Sequence, residues 1–358
     1  MKKVKLALVL GLAVVLVSAF VLPGPAAAKY VWRWGTADPG SYGYRVSAFV
    51  GDFLQRGMPD YDVTVYPFVS TTANMKQFLV GNLESTYSAE PGLRKLYAFI
   101  KPFKGFEPNV KQMPVQSFWS YTIESHILTL PKNKDKFRTW EDLDGAKIFM
   151  APAGYMTHIH AFRSLRDICG LKIKHVEVDT SKVADALRAG TIDATICYTS
   201  SLVSLPTWAK GLDVATPLQG VNPSPEQIKK LTAAGFAPAK TNIKKAFTRG
   251  LGVDELYCVP YFFGYHHGLL FPAEGVYKAL KVFEAAGPQL TKLDPGFGPL
   301  AADFAGFQVK GIKSVPEIPV HPGLVKYLKE KGLWDSSWKI ASDATIKAAI
   351  AAMKAKAK

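Results

Sequence analysis

The chain has 358 residues, which is enough to bury a large core and suggests about two domains. Its formal net charge of +15 does not indicate a nucleic-acid binder, because the lysines are spread along the sequence rather than packed into a tract with interleaved aromatic residues. The charge instead favours attraction to anionic lipid head groups or to an acidic partner at a membrane.

The N-terminus has the pattern of a secretory signal peptide. Three lysines precede the apolar run 6–22, and small residues at 26–28 offer a cleavage site before Lys29. An uncleaved membrane anchor is the alternative, but the Pro-Gly-Pro sequence at 23–25 would break its helix. No cysteine lies near the end of the run, which excludes a lipoprotein anchor. We therefore expect a periplasmic protein that begins near Lys29 and has no later stretch able to span a bilayer.

The chain has three cysteines, Cys169, Cys197 and Cys258. In an oxidising compartment, an odd number leaves at least one unpaired unless it bridges two chains. Their spacing does not match a metal site. We expect mostly buried, structural cysteines.

The first predicted unit is a strand, a polar turn and a helix. Residues 31–34 have the β-branched and aromatic character of a buried strand, which ends at Gly35. Ser41 is a good helix N-cap, and apolar residues then recur at helical spacing up to Gly57. Ligands bind at the carboxyl end of such a strand in open α/β sheets. The alternative is an ordinary loop with surface tyrosines, and the lack of G-x-G-x-x-G argues against a nucleotide.

The next segments repeat this arrangement. Residues 61–66 alternate like a strand, and Thr71 or Thr72 can cap a helix with an apolar face. A third short strand at 83–89 then ends near Glu90. These elements predict one α/β lobe with polar residues at its strand ends.

The middle of the chain has its own alternation of strands and helices. The predicted elements are strands at 117–130, 146–150, 172–178 and 191–198, a strand-to-helix turn at 151–158, and a helix at 181–188. The last strand ends in Thr199, Ser200 and Ser201, so this section predicts a second α/β lobe. Further on we expect a helix at 226–234, a β-prone return to the first lobe at 256–271, helices at 276–286 and 322–331, and a helical tail from residue 342.

The order of these features resembles the TAXI family of solute-binding proteins of TRAP transporters, over about residues 31–332. The family's first strand ends in a Gly-Thr-Gly turn followed by a glycine-rich segment and two tyrosines, and the run Gly35–Tyr44 agrees at four positions. The family's Gly-Ser-x-x-Asn element is matched by the hydroxyl and Asn of Ser70–Asn74. Its Gly-Ser-Gly-Thr element corresponds to Gly154–Thr157, where Tyr155 and Met156 replace two small residues.

This resemblance implies an α/β protein with the type II periplasmic binding fold. Two lobes would be joined by hinge strands, with crossovers near 130–138 and 259–264, and the ligand would lie in the interdomain cleft before delivery to a TRAP-type membrane permease. The implied organisation is a signal peptide at 1–28, lobe I at 29–135, lobe II at 136–260, and a return to lobe I at 261–358.

Three groups of residues are candidate ligand contacts in that cleft. Asp38 and Glu90 could recognise an ammonium or hydroxyl group, although a turn-capping Asp and a solvated Glu are the alternative. The polar strand ends contribute Thr36, Thr71, Thr72, Asn74, Thr157 and Thr199. An aromatic lining would come from Tyr42, Tyr44, Tyr155, Tyr198, Tyr261 and Phe262, unless these side chains only pack the core.

The bulky Tyr155 and Met156 suggest a ligand other than a free amino acid. If they line the cleft, they offer an aromatic face and a thioether to a compact organic acid with an apolar or ring portion. The alternative is that both pack into the core of their lobe.

The sequence contains no motif that predicts an enzyme, a cofactor or a metal. It lacks a G-x-S-x-G elbow, an H-E-x-x-H helix, a C-x-x-C pair and a phosphate loop. His158 and His160 are two apart on a predicted helix, and His266 and His267 are adjacent in a predicted strand, so neither pair shares a face. We expect a binding protein. The first alternative is a ligand-presenting sensor with the same fold. An exported hydrolase is a less favoured alternative.

Overall fold

The computed structural model describes residues 28–357. The predicted signal peptide therefore lies, but for its last residue, outside the described residues. Within them, no helix is both long enough and apolar enough to cross a bilayer. The strands are β1 Tyr30–Thr36, β2 Tyr61–Pro67, β3 Ser85–Ala89, β4 Val115–Thr129, β5 Lys147–Phe149, β6 Lys174–His175, β7 Ala194–Ser200, β8 Gln219–Val221, β9 Ala239–Thr241 and β10 Leu256–His267.

Helices follow most of these strands. They are α1 Tyr42–Gly57, α2 Thr71–Leu79, α3 Glu90–Tyr97, α4 Met156–Phe162, α5 Val183–Arg188, α6 Thr207–Ala215, α7 Pro225–Ala233, α8 Ile243–Ala246, α9 Ala273–Leu293, α10 Gly298–Ala302, α11 Phe304–Ser314, α12 Pro322–Glu330 and α13 Asp343–Lys356. Helix α4 continues directly into a π-helix, Arg163–Ile168.

A single mixed sheet runs through both lobes in the order β2-β1-β3-β10-β4-β7-β5-β6, with β8 on β4 and β9 on β10. The outer pairs β1–β2 and β5–β6 are parallel, as is the pair β5–β7, whereas β10 and β4 pair antiparallel at the centre. Two long central strands thus connect the lobes, which is the two-lobed arrangement of a periplasmic binding fold.

The buried cores show where the chain passes from one lobe to the other. Along β4 the core of the first lobe ends at Ile123, and the second lobe's cores begin at Ile127. The crossing thus lies earlier than the expected segment 130–138, because β4 itself continues through both lobes. Along β10 the change falls between Val259 and Tyr261. The residue ranges given to the lobes stay a prediction.

The N-caps position the two helices of the first lobe that face the boundary. Ser41 Oγ accepts from Tyr44 N at 3.1 Å, as the sequence predicts. The second cap is Ser70, whose Oγ accepts from Ala73 N at 3.1 Å. The prediction of Thr71 or Thr72 as this cap is therefore wrong, because Ser70 has the extended backbone of a cap and both threonines are already helical.

All three cysteines are buried and unpaired in the part of the chain that the structure describes. Burial raises the pKa of the Cys169 thiol to about 11 and that of Cys258 to about 12. The thiols are therefore protonated and unreactive at neutral pH. The expectation of buried, structural cysteines is confirmed.

Candidate functional site

Five buried tyrosines occupy the boundary between the lobes; we call Tyr42, Tyr87, Tyr121, Tyr198 and Tyr261 the tyrosine cluster. The rings of Tyr42 and Tyr121 meet edge-on with centroids 4.8 Å apart, and the Tyr87 and Tyr121 hydroxyls are hydrogen-bonded. Both of the latter rings stack on the same phenylalanine of β10. Members come from α1, β3, β4, β7 and β10, so both lobes and both central strands contribute to one aromatic surface.

Asp38 lies beside this cluster in the turn after β1. Its Oδ1 accepts from Gly40 N at 2.9 Å, whereas Oδ2 is buried and has no hydrogen-bond partner among residues 28–357. Burial raises the pKa of this carboxyl, against hydrogen bonds from the turn that lower it. Burial also raises the pKa of Tyr198, and the nearby Asp38 charge adds to that increase. The predicted acid thus faces a predicted tyrosine across the lobe boundary.

Glu124 is a fully buried acid at the point where β4 crosses between the lobes. Its Oε2 accepts from Thr199 Oγ1 and from Leu202 N, each at 2.8 Å, and Oε1 accepts from the Thr122 hydroxyl. Burial raises the pKa of Glu124 to about 7, although these hydrogen bonds oppose the increase. This carboxyl holds the end of β7 in place.

Glu90 opens α3 at the end of β3. Its Oε2 is buried without a hydrogen-bond partner in the described residues. Burial raises the pKa of Glu90 to about 7, and the charges of Arg94 and Arg163 oppose that increase. Since Arg163 belongs to the second lobe, Glu90 also faces across the boundary.

Direct hydrogen bonds close the two lobes against each other at one rim. Thr72 donates to Gly154 O both from its backbone N, at 3.2 Å, and from Oγ1, at 2.9 Å. Close to the cluster, Thr157 Oγ1 and the Tyr261 hydroxyl are 2.7 Å apart. The lobes are therefore in contact in this structure.

A second connection centres on the buried Asp294, which follows α9. The Tyr42 hydroxyl donates to Asp294 Oδ1 at 2.9 Å, and Arg45 Nη2 lies 2.7 Å from Oδ2. Ser204, beyond the end of β7, donates to Oδ2 at 3.3 Å. Arg45 Nε is buried and keeps no hydrogen-bond partner within residues 28–357.

The structure brings only some of the predicted ligand-binding residues together at the tyrosine cluster. Tyr42, Tyr198 and Tyr261 are members of the cluster, Thr157 lies at hydrogen-bond distance from Tyr261, and Asp38 and Glu90 lie near Tyr198 and Tyr261. Thr199 binds Glu124, and Thr36 lies beside Tyr265, so neither contacts a member of the cluster directly. Asn74 has a structural task, because its buried Oδ1 accepts from Thr86 Oγ1 at 2.6 Å and from Tyr87 N at 2.9 Å. Thr71 is buried in the first turn of α2, and Tyr44 is half-buried on α1.

The structure gives different surroundings to three aromatic or apolar side chains that the sequence analysis singled out. Phe262 points to the opposite face of β10 from Tyr261 and packs on Phe307, with ring centroids 5.4 Å apart, so it is not part of the lining. Met156 is buried in the core of the first lobe, with its sulfur against Gly92. Tyr155 instead lines a rim cavity of about 390 Å³ together with Val69, Pro152 and residues 177–180.

Strained backbone marks the second lobe's strand ends at the boundary. Ala151 after β5, and Ser201 and Leu202 after β7, have φ angles of 64°, 50° and 67°. Residues other than glycine rarely adopt this region, and such strain persists only where surrounding contacts impose it. For Leu202 one such contact is the hydrogen bond from its backbone N to Glu124.

Glu124, Arg45 and Asp294 are members of the site that the sequence analysis missed. A detectable signal existed for Glu124, since an acid within the apolar segment 117–130 is a buried charge that needs partners. Asp294 has no such signal, because it reaches Tyr42 across 252 positions of sequence.

No protein-family model matches the chain, and none of the curated proteins matches its sequence. Solved structures are similar in fold. MatC from Rhodopseudomonas palustris, solved with bound malate, has a TM-score of 0.50 and 8% identity, covering 81% of this chain and 98% of that one. The periplasmic binding protein BugD has a TM-score of 0.49 and 12% identity, with coverage of 86% and 99%. The aliphatic sulphonate binding protein SsuA from Escherichia coli has a TM-score of 0.45 and 13% identity, with coverage of 92% and 87%. The likeness to MatC supports the two-lobed fold alone.

Proposed function

We propose that this chain is an exported, periplasmic solute-binding protein that captures a small organic solute between its lobes. The observation that carries the proposal is a pair of buried carboxyl oxygens at the boundary, Asp38 Oδ2 and Glu90 Oε2, that have no hydrogen-bond partner among the described residues. Buried polar atoms are nearly always hydrogen-bonded, so unpaired ones beside a lobe boundary favour a ligand that supplies the missing partners. Binding, rather than catalysis, is the activity that this arrangement favours.

The same surroundings favour an organic acid with an apolar or ring portion. The tyrosine cluster offers aromatic faces to the apolar portion. Arg45 supplies a guanidinium with an unpaired, buried Nε, which is suited to a carboxylate. Asp38 can accept from a hydroxyl of the same solute.

Delivery to a TRAP-type permease is the further part of the proposal, and it rests on the sequence resemblance to the TAXI family. A permease gene next to the gene of this chain would support it. An adjacent sensor-kinase gene would favour the ligand-presenting sensor instead.

A thermal-shift screen of organic acids and amino acids tests the binding proposal. A true ligand at about 100 times its dissociation constant should stabilise the purified protein by about 2.7 kcal/mol. For a hit, Asp38→Asn and Tyr198→Phe should each weaken binding about tenfold or more, because each leaves a buried ligand group unpaired.

Two exposed positions provide matched controls. Asp60→Asn and Tyr66→Phe make the same chemical changes on the surface and should leave the affinity unchanged. If the boundary variants bound the hit as tightly as these controls, the ligand would lie elsewhere and the assignment would fail.

A further inference from the structure

A second cavity, of about 450 Å³, opens at the lobe boundary apart from the tyrosine cluster. Its walls are α3 and the residues after it from the first lobe, the π-helix and the end of α7 from the second lobe, and the C-terminal helix α13. The charged side chains in these walls are Arg94, Lys95, Arg163, Asp167, Glu317 and Lys356.

Most of these charges are already paired. Arg94 Nη1 binds both carboxylate oxygens of Glu317, at 3.1 and 3.2 Å, and Lys356 Nζ lies 3.5 Å from the same carboxylate. Asp167 is paired with Arg166, with 2.8 Å between Oδ1 and Nε. The two acids of the cavity wall are therefore committed to other cations.

Lys95 and Arg163 are different, because neither makes an ion pair or a side-chain hydrogen bond in the part of the chain from 28 to 357. Both are half-buried. The guanidinium of Arg163 lies over the Phe236 ring, 4.7 Å from its centroid, which fixes its position without neutralising its charge. Lys95 comes from the first lobe and Arg163 from the second.

The surroundings make the charge of Lys95 costly. Burial lowers the pKa of Lys95, and the nearby Arg163 and Arg166 lower it further, while Asp167 opposes them. Glu90 is a neighbouring acid, but burial raises its pKa to about 7, so it is only partly ionised at neutral pH. An anion in the cavity would offset both charges at once.

We propose that this cavity is a second binding site, for a small dianion that Lys95 and Arg163 hold between the two lobes. Two unpaired cations suit two negative charges, which a dicarboxylate or inorganic phosphate carries. The apolar part of the wall, which includes Ile100, Ile168 and Met353, suits the carbon chain of a dicarboxylate. None of the five cluster tyrosines lines this cavity, and Glu90 is a residue that lies near both proposed sites.

Isothermal titration calorimetry of the purified protein with succinate, and separately with inorganic phosphate, tests this proposal at low ionic strength. We expect saturable binding of one dianion. Arg163→Gln and Lys95→Gln should each weaken it about tenfold or more, as expected when a charge-assisted hydrogen bond is lost. Lys95→Arg, which keeps the charge, should retain most of the affinity. Binding of succinate alone would identify an organic dianion, and binding of phosphate alone an inorganic one.

Two controls locate the bound dianion. Lys278→Gln removes the same charge from an exposed, unpaired lysine on α9 and should change the affinity less than twofold by screened, long-range effects alone. Tyr198→Phe should leave dianion binding intact while it weakens the ligand of the tyrosine cluster. The proposal fails if neither dianion binds, if Lys278→Gln weakens binding as much as Arg163→Gln, or if Tyr198→Phe abolishes it.

Discussion

The tyrosine cluster and the basic cavity lie on the same lobe boundary, yet they satisfy their polar groups in opposite ways. At the cluster, hydroxyls largely pair with one another or with a buried acid, as Thr157 does with Tyr261 and Tyr42 with Asp294, while one carboxyl oxygen each of Asp38 and Glu90 has no partner among residues 28–357. At the cavity, Lys95 and Arg163 are left without protein partners within residues 28–357. Hydroxyls can both donate and accept, so a set of them can close on itself, whereas two cations can only be satisfied from outside.

The comparison predicts that the stability of the lobe boundary near the tyrosine cluster depends on the packing of buried side chains. Met156→Ala should lower the free energy of unfolding by about 2 to 5 kcal/mol, because a buried side chain that joins the lobes would leave a cavity against Gly92. Urea denaturation measures this cost. Tyr155→Ser at the rim should cost clearly less. If the two variants lost the same free energy of unfolding, Met156 would not be more important for packing than Tyr155, and the prediction would be wrong.

The buried acid at the centre should make stability depend on pH. The pKa of Glu124 is raised in the folded chain, so the folded state holds its proton between the unfolded value near 4.5 and about 7. Stability from this group is complete below the unfolded pKa and is lost as pH rises through about 7. A shift of this size corresponds to at most about 3 kcal/mol.

Glu124→Gln isolates this contribution. In urea denaturation, the free energy of unfolding of the parent protein should fall between pH 5 and pH 8 by the contribution of Glu124. The variant should not show this part of the fall, because its amide does not titrate. Glu226→Gln changes an exposed acid and should leave the pH profile unchanged. A parent profile that Glu124→Gln does not alter would show that this carboxyl is not the titrating group.

Asn74 tests whether a polar strand-end residue serves the fold. Asn74→Ala should lower the free energy of unfolding by about 1 to 3 kcal/mol, since the Thr86 hydroxyl and Tyr87 N would lose their buried acceptor. Asn82→Ala, at an exposed amide, should cost less than about 0.5 kcal/mol. A stable Asn74→Ala protein with weakened ligand binding would return Asn74 to the role predicted from the sequence.

The smallest expected effect is a difference in the salt dependence of ligand binding at the two sites. Raising NaCl from about 50 to about 500 mM should weaken dianion binding at the basic cavity several-fold, because its partly exposed charges are screened. Binding at the buried tyrosine cluster should change less. Calorimetry at both salt concentrations measures the contrast, and equal salt dependence at the two sites would remove it.

Local features of this fold could be predicted from the sequence, whereas the contacts between distant segments could not. The turn after β1 follows from Gly35, the Ser41 cap and the helical spacing behind it, all within about twenty residues. The acids at the strand ends, Asp38 and Glu90, could likewise be identified from the sequence. The Asp294 connection and the unpaired state of Lys95 and Arg163 depend on segments that meet only in the folded chain.

Strand character was predictable, but strand length depended on tertiary pairing. The segment 117–130 was correctly predicted as a strand, and β4 pairs with three other strands along its length. The strand expected at 172–178 is reduced to Lys174–His175, because β6 is at the edge of the sheet and pairs with a three-residue strand. Neighbouring strands therefore set lengths that periodicity alone overestimates.

The central pair of strands determines how the lobes can move. Since β4 and β10 are hydrogen-bonded to each other along most of their length, a sliding separation of the lobes would break the ladder, whereas a twist about the pair would preserve it. The irregular register at Phe263 and Gly264 gives this pair a local point of weaker pairing within the first lobe. The pair therefore favours rotation of one lobe against the other over their separation. An outside protein that contacts both lobes would sense their relative angle rather than their distance.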